Sequence, residues 1–445
     1  MKRLFLIILN LYVGLSNLCF SQDDTLRVMT YNVLHYGDGC QGSNGYLHSK
    51  LKTIAQYANP DILGLVKMQA IKLNATDWNG ISPVGFADSV VVYALNAAYP
   101  GRYSYCTLTN LSSDADGDMD VLFYNQNKLG FVSVINLCKN QEDFDLYKLY
   151  YKDPNLTTTN DTTFLYVILN HTISGTATAG RDQQDSTVVK GLQNSFYHLP
   201  NVISMGDFNT HTSAEPGYEL YTTTSDTSFI FYDPPFKPDH NLNYPLNWNS
   251  NSSCSKYLNT TTRQSSSLPN SCGTNGGAKD WFIHILLSKW LVSNFDYINY
   301  IPNSYTTIGN DGKRFSISVN DSTTNGKNLS APPNVLNALF DLSDKYPIMV
   351  KLGVTFNTTN AIKKINSNED IAVYPNPCKA VFTIENNVTI KQTVYIYNLN
   401  GELVLHQTMH NKINSIDVTN LQEGIYNISI LEDKFLVNKK LVIIK

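Results

Sequence analysis

Short apolar runs separated by longer polar stretches set the rhythm of this chain. Leu26 to Tyr31 has the length of a strand, Tyr46 to Tyr57 carries helical spacing, and Ile62 to Val66 is a second strand-length run begun after Pro60. Val121 to Tyr124, Phe164 to Leu169, Val202 to Met205, Phe282 to Leu287 and Ile348 to Leu352 continue the series, and Asp182 to Tyr197 again has helical spacing. Strands interleaved with helices and hairpins predict an α/β fold, a four-layer α/β sandwich of two packed mixed β-sheets flanked by helices. The stretch Thr222 to Lys279, rich in Asn, Ser, Thr and Pro, is predicted to be surface loop.

The pattern changes after Phe356. A polar linker over residues 357–370 leads into runs with period-two alternation: Val381 to Glu385, Gln392 to Tyr397, Leu403 to His406 and Ile425 to Leu431. Turns at Asn400-Gly401 and Glu423-Gly424 separate them, so a small C-terminal β-sandwich is predicted over residues 371–445.

The N-terminus has its own logic. Lys2 and Arg3 precede an apolar stretch from Leu4 to Leu15, and the small residues Cys19 and Ser21 sit three and one positions before a cut at Gln22. Residues 1–21 therefore read as a signal peptide. A membrane anchor needs about 20 apolar residues, which this stretch lacks. No other apolar run is long enough to span a bilayer.

Composition narrows the function classes. At 445 residues with 42% hydrophobic side chains the chain can bury more than one core, and a formal net charge of -4 provides no general affinity for polyanions. A basic face of the kind that grips duplex phosphates is not visible as a run of Lys or Arg. Six of the seven cysteines lie beyond the signal peptide, and an oxidising destination permits disulfides. Cys254 and Cys272 flank a polar stretch with little core-forming content, so a bridge between them is expected. No Cys/His cluster has zinc spacing.

Four short runs carry the chemistry: Met29-Thr30-Tyr31-Asn32-Val33, Pro60-Asp61-Ile62-Leu63-Gly64-Leu65-Val66-Lys67, Met205-Gly206-Asp207-Phe208-Asn209 and Ser343-Asp344-Lys345-Tyr346-Pro347. In this order the segment from Leu26 to Phe356 resembles the endonuclease/exonuclease/phosphatase superfamily, and residues 22–356 are assigned to that domain. The resemblance implies metal-dependent phosphoester hydrolysis, in which Mg²⁺ or Mn²⁺ neutralises phosphoryl oxygens while a carboxylate positions water. Asn32, Asp207, Asn209 and Asp344 match the family's metal- and water-positioning residues, and His171 matches its other histidine; Asn32, Asp207 and Asp344 are the weak metal candidates.

Three positions depart from the family pattern. Lys67 stands where the principal metal-ligand glutamate belongs, Lys345 where a phosphate-facing histidine belongs, and Ile283 where that histidine's orienting aspartate belongs. An ammonium cannot coordinate a cation and repels one by roughly 4 kcal/mol at about 4 Å and an effective dielectric near 20. No metal cofactor is therefore expected, and the Lys67 ammonium is expected within salt-bridge distance of Asp207 or Asp344. A register shift that puts Asp280 or His284 in the Ile283 role is the alternative. Asp118 is the candidate acidic partner of His171.

The C-terminal segment has a second resemblance. Val373-Tyr374-Pro375-Asn376-Pro377, Gly401-Glu402 after Tyr397-Asn398, Leu421-Gln422-Glu423-Gly424-Ile425-Tyr426 and the ending Lys439-Lys440-Leu441-Val442 resemble the type A C-terminal sorting domain of the type IX secretion system. That resemblance implies a Bacteroidetes protein, type IX machinery as partner, and a mature form released or held at the cell surface. Three readings of function stay open. One is a secreted pseudoenzyme that binds a phosphorylated or polyanionic ligand through Lys67, Lys345, His171 and Asn209. The others are an active phosphodiesterase or endonuclease with a lysine-modified site, and a surface binding or adhesion protein.

Overall fold

The structure is a computed structural model that describes residues 22–69, 72–74, 77–78, 86–109, 118–140, 142–176, 178–196, 198–234, 247–264, 272–293, 296–357, 371–386, 392–432 and 435–445. The segment expected to be a signal peptide, residues 1–21, and the expected linker beyond residue 357 lie outside the described residues. The two main sheets use β1 (Asp24–Tyr36), β2 (Ile62–Gln69), β3 (Tyr103–Tyr105), β4 (Asp118–Asn125), β5 (Leu129–Asn140), β6 (Glu142–Tyr151), β7 (Phe164–His171), β8 (Val202–Asp207), β9 (Phe231–Tyr232), β10 (Ile283–Ser288), β11 (Ile298–Tyr300), β12 (Thr306–Thr307) and β13 (Ile348–Val354). The first sheet has the order β11-β13-β1-β2-β4-β3, with β12 added to β13; the second has the order β9-β10-β8-β7-β6-β5. Both are mixed, because β1 runs parallel to β2 and β7 parallel to β8 while the other pairs are antiparallel.

Helix α1 (Asn44–Ala58) starts where the Ser43 side chain accepts the Tyr46 N–H and stops at Asn59, which adopts a left-handed conformation. It buries Leu47, Leu51, Ile54, Ala55 and Ala58, a single stripe at helical spacing. Against it packs α4 (Pro333–Leu342), which reaches β1, whereas α2 (Thr178–Ser195) and α3 (Pro216–Thr222) cover the second sheet. The order helix, sheet, sheet, helix is the expected four-layer sandwich. Gly64 lets the sheets meet: a Cβ there would stand 2.4 Å from Leu169 Cδ2 and 2.8 Å from Met205 Cε.

Two expectations need correction. Thr222 to Lys279 is not simply surface loop, since β9 closes the second sheet and Trp248, Leu258 and Asn259 are fully buried. Asn259 is buried at tolerable cost because its amide donates to the Ile283 carbonyl at 2.8 Å and accepts the Phe282 and Ile283 N–H groups. A polar composition here serves internal hydrogen bonds rather than solvent. The second correction concerns the disulfide, which joins Cys40 to Cys272 with a Cα–Cα distance of 5.9 Å, while Cys254 is a buried free thiol. Cys254 sits in a short 3-10 turn, Ser252–Cys254, that holds its own place through hydrogen bonds.

The C-terminal segment has a separate core of Phe382, Ile384, Val394, Ile396, Ile416, Ile428, Ile430 and Leu441. Its strands are β14 (Ile371–Tyr374), β15 (Val381–Asn386), β16 (Gln392–Tyr397), β17 (Leu403–Met409), β18 (Ile413–Asp417), β19 (Gly424–Glu432) and β20 (Phe435–Ile443). They form two antiparallel sheets, β14-β15-β18 and β17-β16-β19-β20. Gly401, with φ 82, sits in the turn between β16 and β17, where a side chain would be strained.

Candidate active site

Strand ends bring the family-like positions together at one end of the sandwich. His171 and Asp207 are register partners on β7 and β8, and Asp207 faces Ile283 across β8 and β10. Register partners share a face of a sheet, so these three side chains belong to one surface. Gly206, with φ 144, is required between them: a Cβ would lie 1.9 Å from the Asn170 carbonyl oxygen. Asn32 comes from β1, and Lys67 sits in a bulge of β2 with φ 65.

Hydrogen bonds then link the pieces across the two sheets. The Asn32 amide donates to Asp207 Oδ2 at 2.8 Å, and the Asn209 N–H donates to Asp207 Oδ1 at 3.1 Å. Asn209 itself is anchored to the Thr172 carbonyl at 2.8 Å. Ser343 Oγ donates to the Asn32 carbonyl at 2.7 Å and accepts the Lys345 N–H at 3.1 Å, which fixes the Ser343-Asp344-Lys345 turn against β1. Asp344 Oδ2 receives three donors: Lys345 Nζ at 3.1 Å, the Thr274 N–H at 2.9 Å and the Thr274 hydroxyl at 2.8 Å.

Burial and charge decide the protonation states. Burial alone would raise the Asp344 pKa, but Lys345 and the Thr274 donors outweigh it and hold the carboxyl below its ordinary value. Burial alone would lower the Lys345 pKa, and the carboxylates of Asp344, Asp207 and Asp280 outweigh it and raise it. Both therefore stay charged at neutral pH. His171 is pushed down to about 3, first by burial and then by the positive charges of Lys67, His35 and Lys345, so its ring is neutral. Its Nδ1 has no partner among the described residues.

Several sequence expectations are corrected by this geometry. Asp118 does not reach His171; it pairs with His35 Nδ1 at 2.9 Å, because β4 enters the site beside the irregular stretch of β1 between Asn32 and Tyr36. Lys67 makes no ion pair with Asp207 or Asp344 among the described residues: the bulge spends its backbone N–H on Asp120 at 3.0 Å, and Lys345 occupies the place beside Asp344. His284 does not replace Ile283, since its Nδ1 lies 2.9 Å from Asp233 on the opposite face of β10, enclosed by Trp248 and Trp281. Asp280, by contrast, comes near the site: Thr260 bridges to both Asp280 and Lys345, and burial raises the Asp280 pKa despite nearby His211 and Lys345.

Sequence reasoning missed Thr274 and His35. Thr274 lies in a stretch read as loop, and only the tether of Cys272 to Cys40 reveals that this loop closes over Asp344. Gly273 is pressed there too, since a Cβ would stand 2.6 Å from Leu34 Cδ2 and 3.0 Å from Asp344 Oδ2. His35 follows Asn32 by three residues, and that adjacency was its available signal.

Residues 372–444 match the family described as the secretion system C-terminal sorting domain. The protein is exported or displayed at the cell surface. The same segment implicates the type IX secretion machinery, and no helix among the described residues is long and apolar enough to cross a membrane. No curated protein matches the chain. Similar solved structures include D. rerio TDP2 complexed with a single-strand DNA product, at 14% identity and TM-score 0.44 over 75% of this chain and 100% of that one. The human Nocturnin catalytic domain is similar at 15% identity and TM-score 0.44, over 75% and 95% of the two chains. An endonuclease/exonuclease/phosphatase family protein from Bacteroides thetaiotaomicron is similar at 14% identity and TM-score 0.42, over 75% and 97%. The fold rests on its own strand order.

Proposed function

We propose that this is a secreted pseudoenzyme of the endonuclease/exonuclease/phosphatase type, in which an internal ammonium occupies the place of the hydrolytic metal. The observation that carries it is Lys345 Nζ on Asp344 Oδ2 at 3.1 Å. A hard divalent cation needs several free oxygen ligands. Here each Asp207 oxygen already accepts one hydrogen bond, from Asn32 and from Asn209, and Asp344 keeps one oxygen without a partner while Lys345 holds a positive charge against the other. Among the described residues no three His, Cys, Asp or Glu side chains stand together as a metal site. The donor set does not fit Mg²⁺ or Mn²⁺, and no hydrolytic step is routed through either. Supporting the same reading, Ile283 puts a buried apolar side chain at the strand position where an orienting aspartate would stand.

Calorimetry with Mn²⁺ and turnover of bis-nitrophenyl phosphate provide the test. The wild type should bind no metal stoichiometrically and stay near background. The triple change Lys67→Glu, Ile283→Asp and Lys345→His should gain metal-dependent turnover where single changes do not, because such residues act as a unit. Tight Mn²⁺ binding by the wild type, or activity abolished by Asp207→Ala, overturns the proposal in favour of a working lysine-modified phosphodiesterase. The export arm is separate: the mature form should begin near Gln22 and lack residues beyond the 357–370 linker by mass spectrometry, in a Bacteroidetes-type host.

A further inference from the structure

We propose that the far end of the sandwich carries a second site, a cleft between Arg27 and Lys351 that binds a small phosphate or sulfate ester. Arg27 precedes Asn32 by five residues on β1, which places it roughly 17 Å along the strand from the degenerate centre. The cleft has a volume of about 460 Å³. That is within the range of small-ligand sites and larger than a bare oxyanion fills.

The register makes the case. Arg27 and Lys351 are direct cross-strand partners on β1 and β13, and both line the cleft. Like charges set opposite each other destabilise a sheet unless something neutralises them. Among the described residues neither the guanidinium nor the ammonium has a hydrogen-bond or carboxylate partner. The carboxylate that Arg27 does touch, through its backbone N–H on Oδ2, is Asp61, whose Oδ1 already receives Arg102 and Asn125 and whose Oδ2 lies 3.8 Å from the Lys128 ammonium. The carbonyl end of α1 is satisfied as well, since Asn59 N–H bonds to Ala55 and the Tyr99 hydroxyl bonds to Gln56.

The rest of the lining fits the body of such an ester. Gln56 adds an amide to the lining of the same cleft, the Thr306 and Tyr57 hydroxyls there donate to the Ser304 and Ser330 carbonyls and keep their acceptor lone pairs for a ligand hydroxyl, and Tyr99 adds a ring. A guanidinium offers a planar pair of donors to a tetrahedral oxyanion, and an adjacent ammonium adds a point charge. The polar wall then suits a hydroxylated carrier such as a sugar more than an apolar one.

Titration of the full chain with glucose 6-phosphate, glucose, inorganic phosphate and sulfate tests this. Glucose 6-phosphate should bind with a dissociation constant on the order of 1 mM or tighter, the inorganic ions more weakly, and glucose not at all. Arg27→Met and Lys351→Met should each weaken binding by about tenfold or more, whereas Lys67→Met should leave it unchanged. Lys351→Met should also raise the melting temperature in phosphate-free buffer, because it removes the repulsion, and it should abolish the phosphate-dependent rise expected of the wild type. Binding that survives both cleft variants, binding lost with Lys67→Met, or no binding at all overturns the proposal.

Discussion

The bulge at Lys67 and the turn at Lys345 each put a lysine where the family pattern has a site residue, yet the two lysines live under different physics. Lys345 is enclosed with Asp344, Asp207 and Asp280, and its charge is what keeps those carboxylates from repelling one another. Lys67 is half-buried on a strained bulge, its backbone N–H anchored and its ammonium without an ion pair among the described residues. A substituted residue becomes structural only where the surrounding charges need it. The same chemical change can therefore be part of the fold at one position and nearly free at another.

The largest expected effect follows from removing the enclosed charge. Lys345→Met should destabilise the protein by about 3–5 kcal/mol at neutral pH, because it strands Asp344 as an unpaired buried carboxylate. The Asp344 pKa is depressed in the fold, so the stability it contributes is present above its ordinary value of 3.8 and lost as pH falls. The penalty of Lys345→Met should accordingly shrink in acid, as denaturant melts at several pH values will register. A melt no weaker than the wild type would erase the distinction between the two lysines.

His171 sharpens the comparison next. As a base with a depressed folded pKa of about 3, it costs nothing above 6.5 and loses stability as pH falls from 6.5 toward 3, where the unfolded chain binds the proton first. The wild type should lose on the order of 5 kcal/mol across that window, and His171→Asn should flatten most of it. Thr274→Val is smaller: it removes the hydroxyl donor to Asp344 but keeps the N–H, for a loss of about 1–2 kcal/mol in chemical denaturation. Lys67→Met should fall within about 0.5 kcal/mol of the wild type. A loss near that of Lys345→Met would show that both lysines are built into the same charge network.

The fold was largely legible because apolar runs of strand length survive every loop insertion, and the motif glycines Gly64 and Gly206 mark where sheets and backbones approach. The site's corners were legible for the same reason, since each lies at a strand end. Its wiring was not. Which lysine lands among the carboxylates depends on the positive-φ bulge at Lys67, and the pairing of Asp118 with His35 depends on where β4 meets the irregular end of β1, at which His35 has φ 54. Disulfide connectivity is equally nonlocal: Cys254 was nearer to Cys272 in sequence, but the partner is Cys40, 232 residues away. The C-terminal domain was easier, because alternation and turns there are local properties.

That distant bridge gives the molecule a chronology. Thiols stay reduced in an ordinary cytoplasm, so the Cys40–Cys272 link is made only after the chain has left it. Without the bridge Thr274 would have only hydrogen bonds to reach Asp344; with it, its loop is covalently held there. The compartment, and not the sequence by itself, finishes the roof over the carboxylates, so a copy retained inside the cell and a copy delivered outside are two different surfaces.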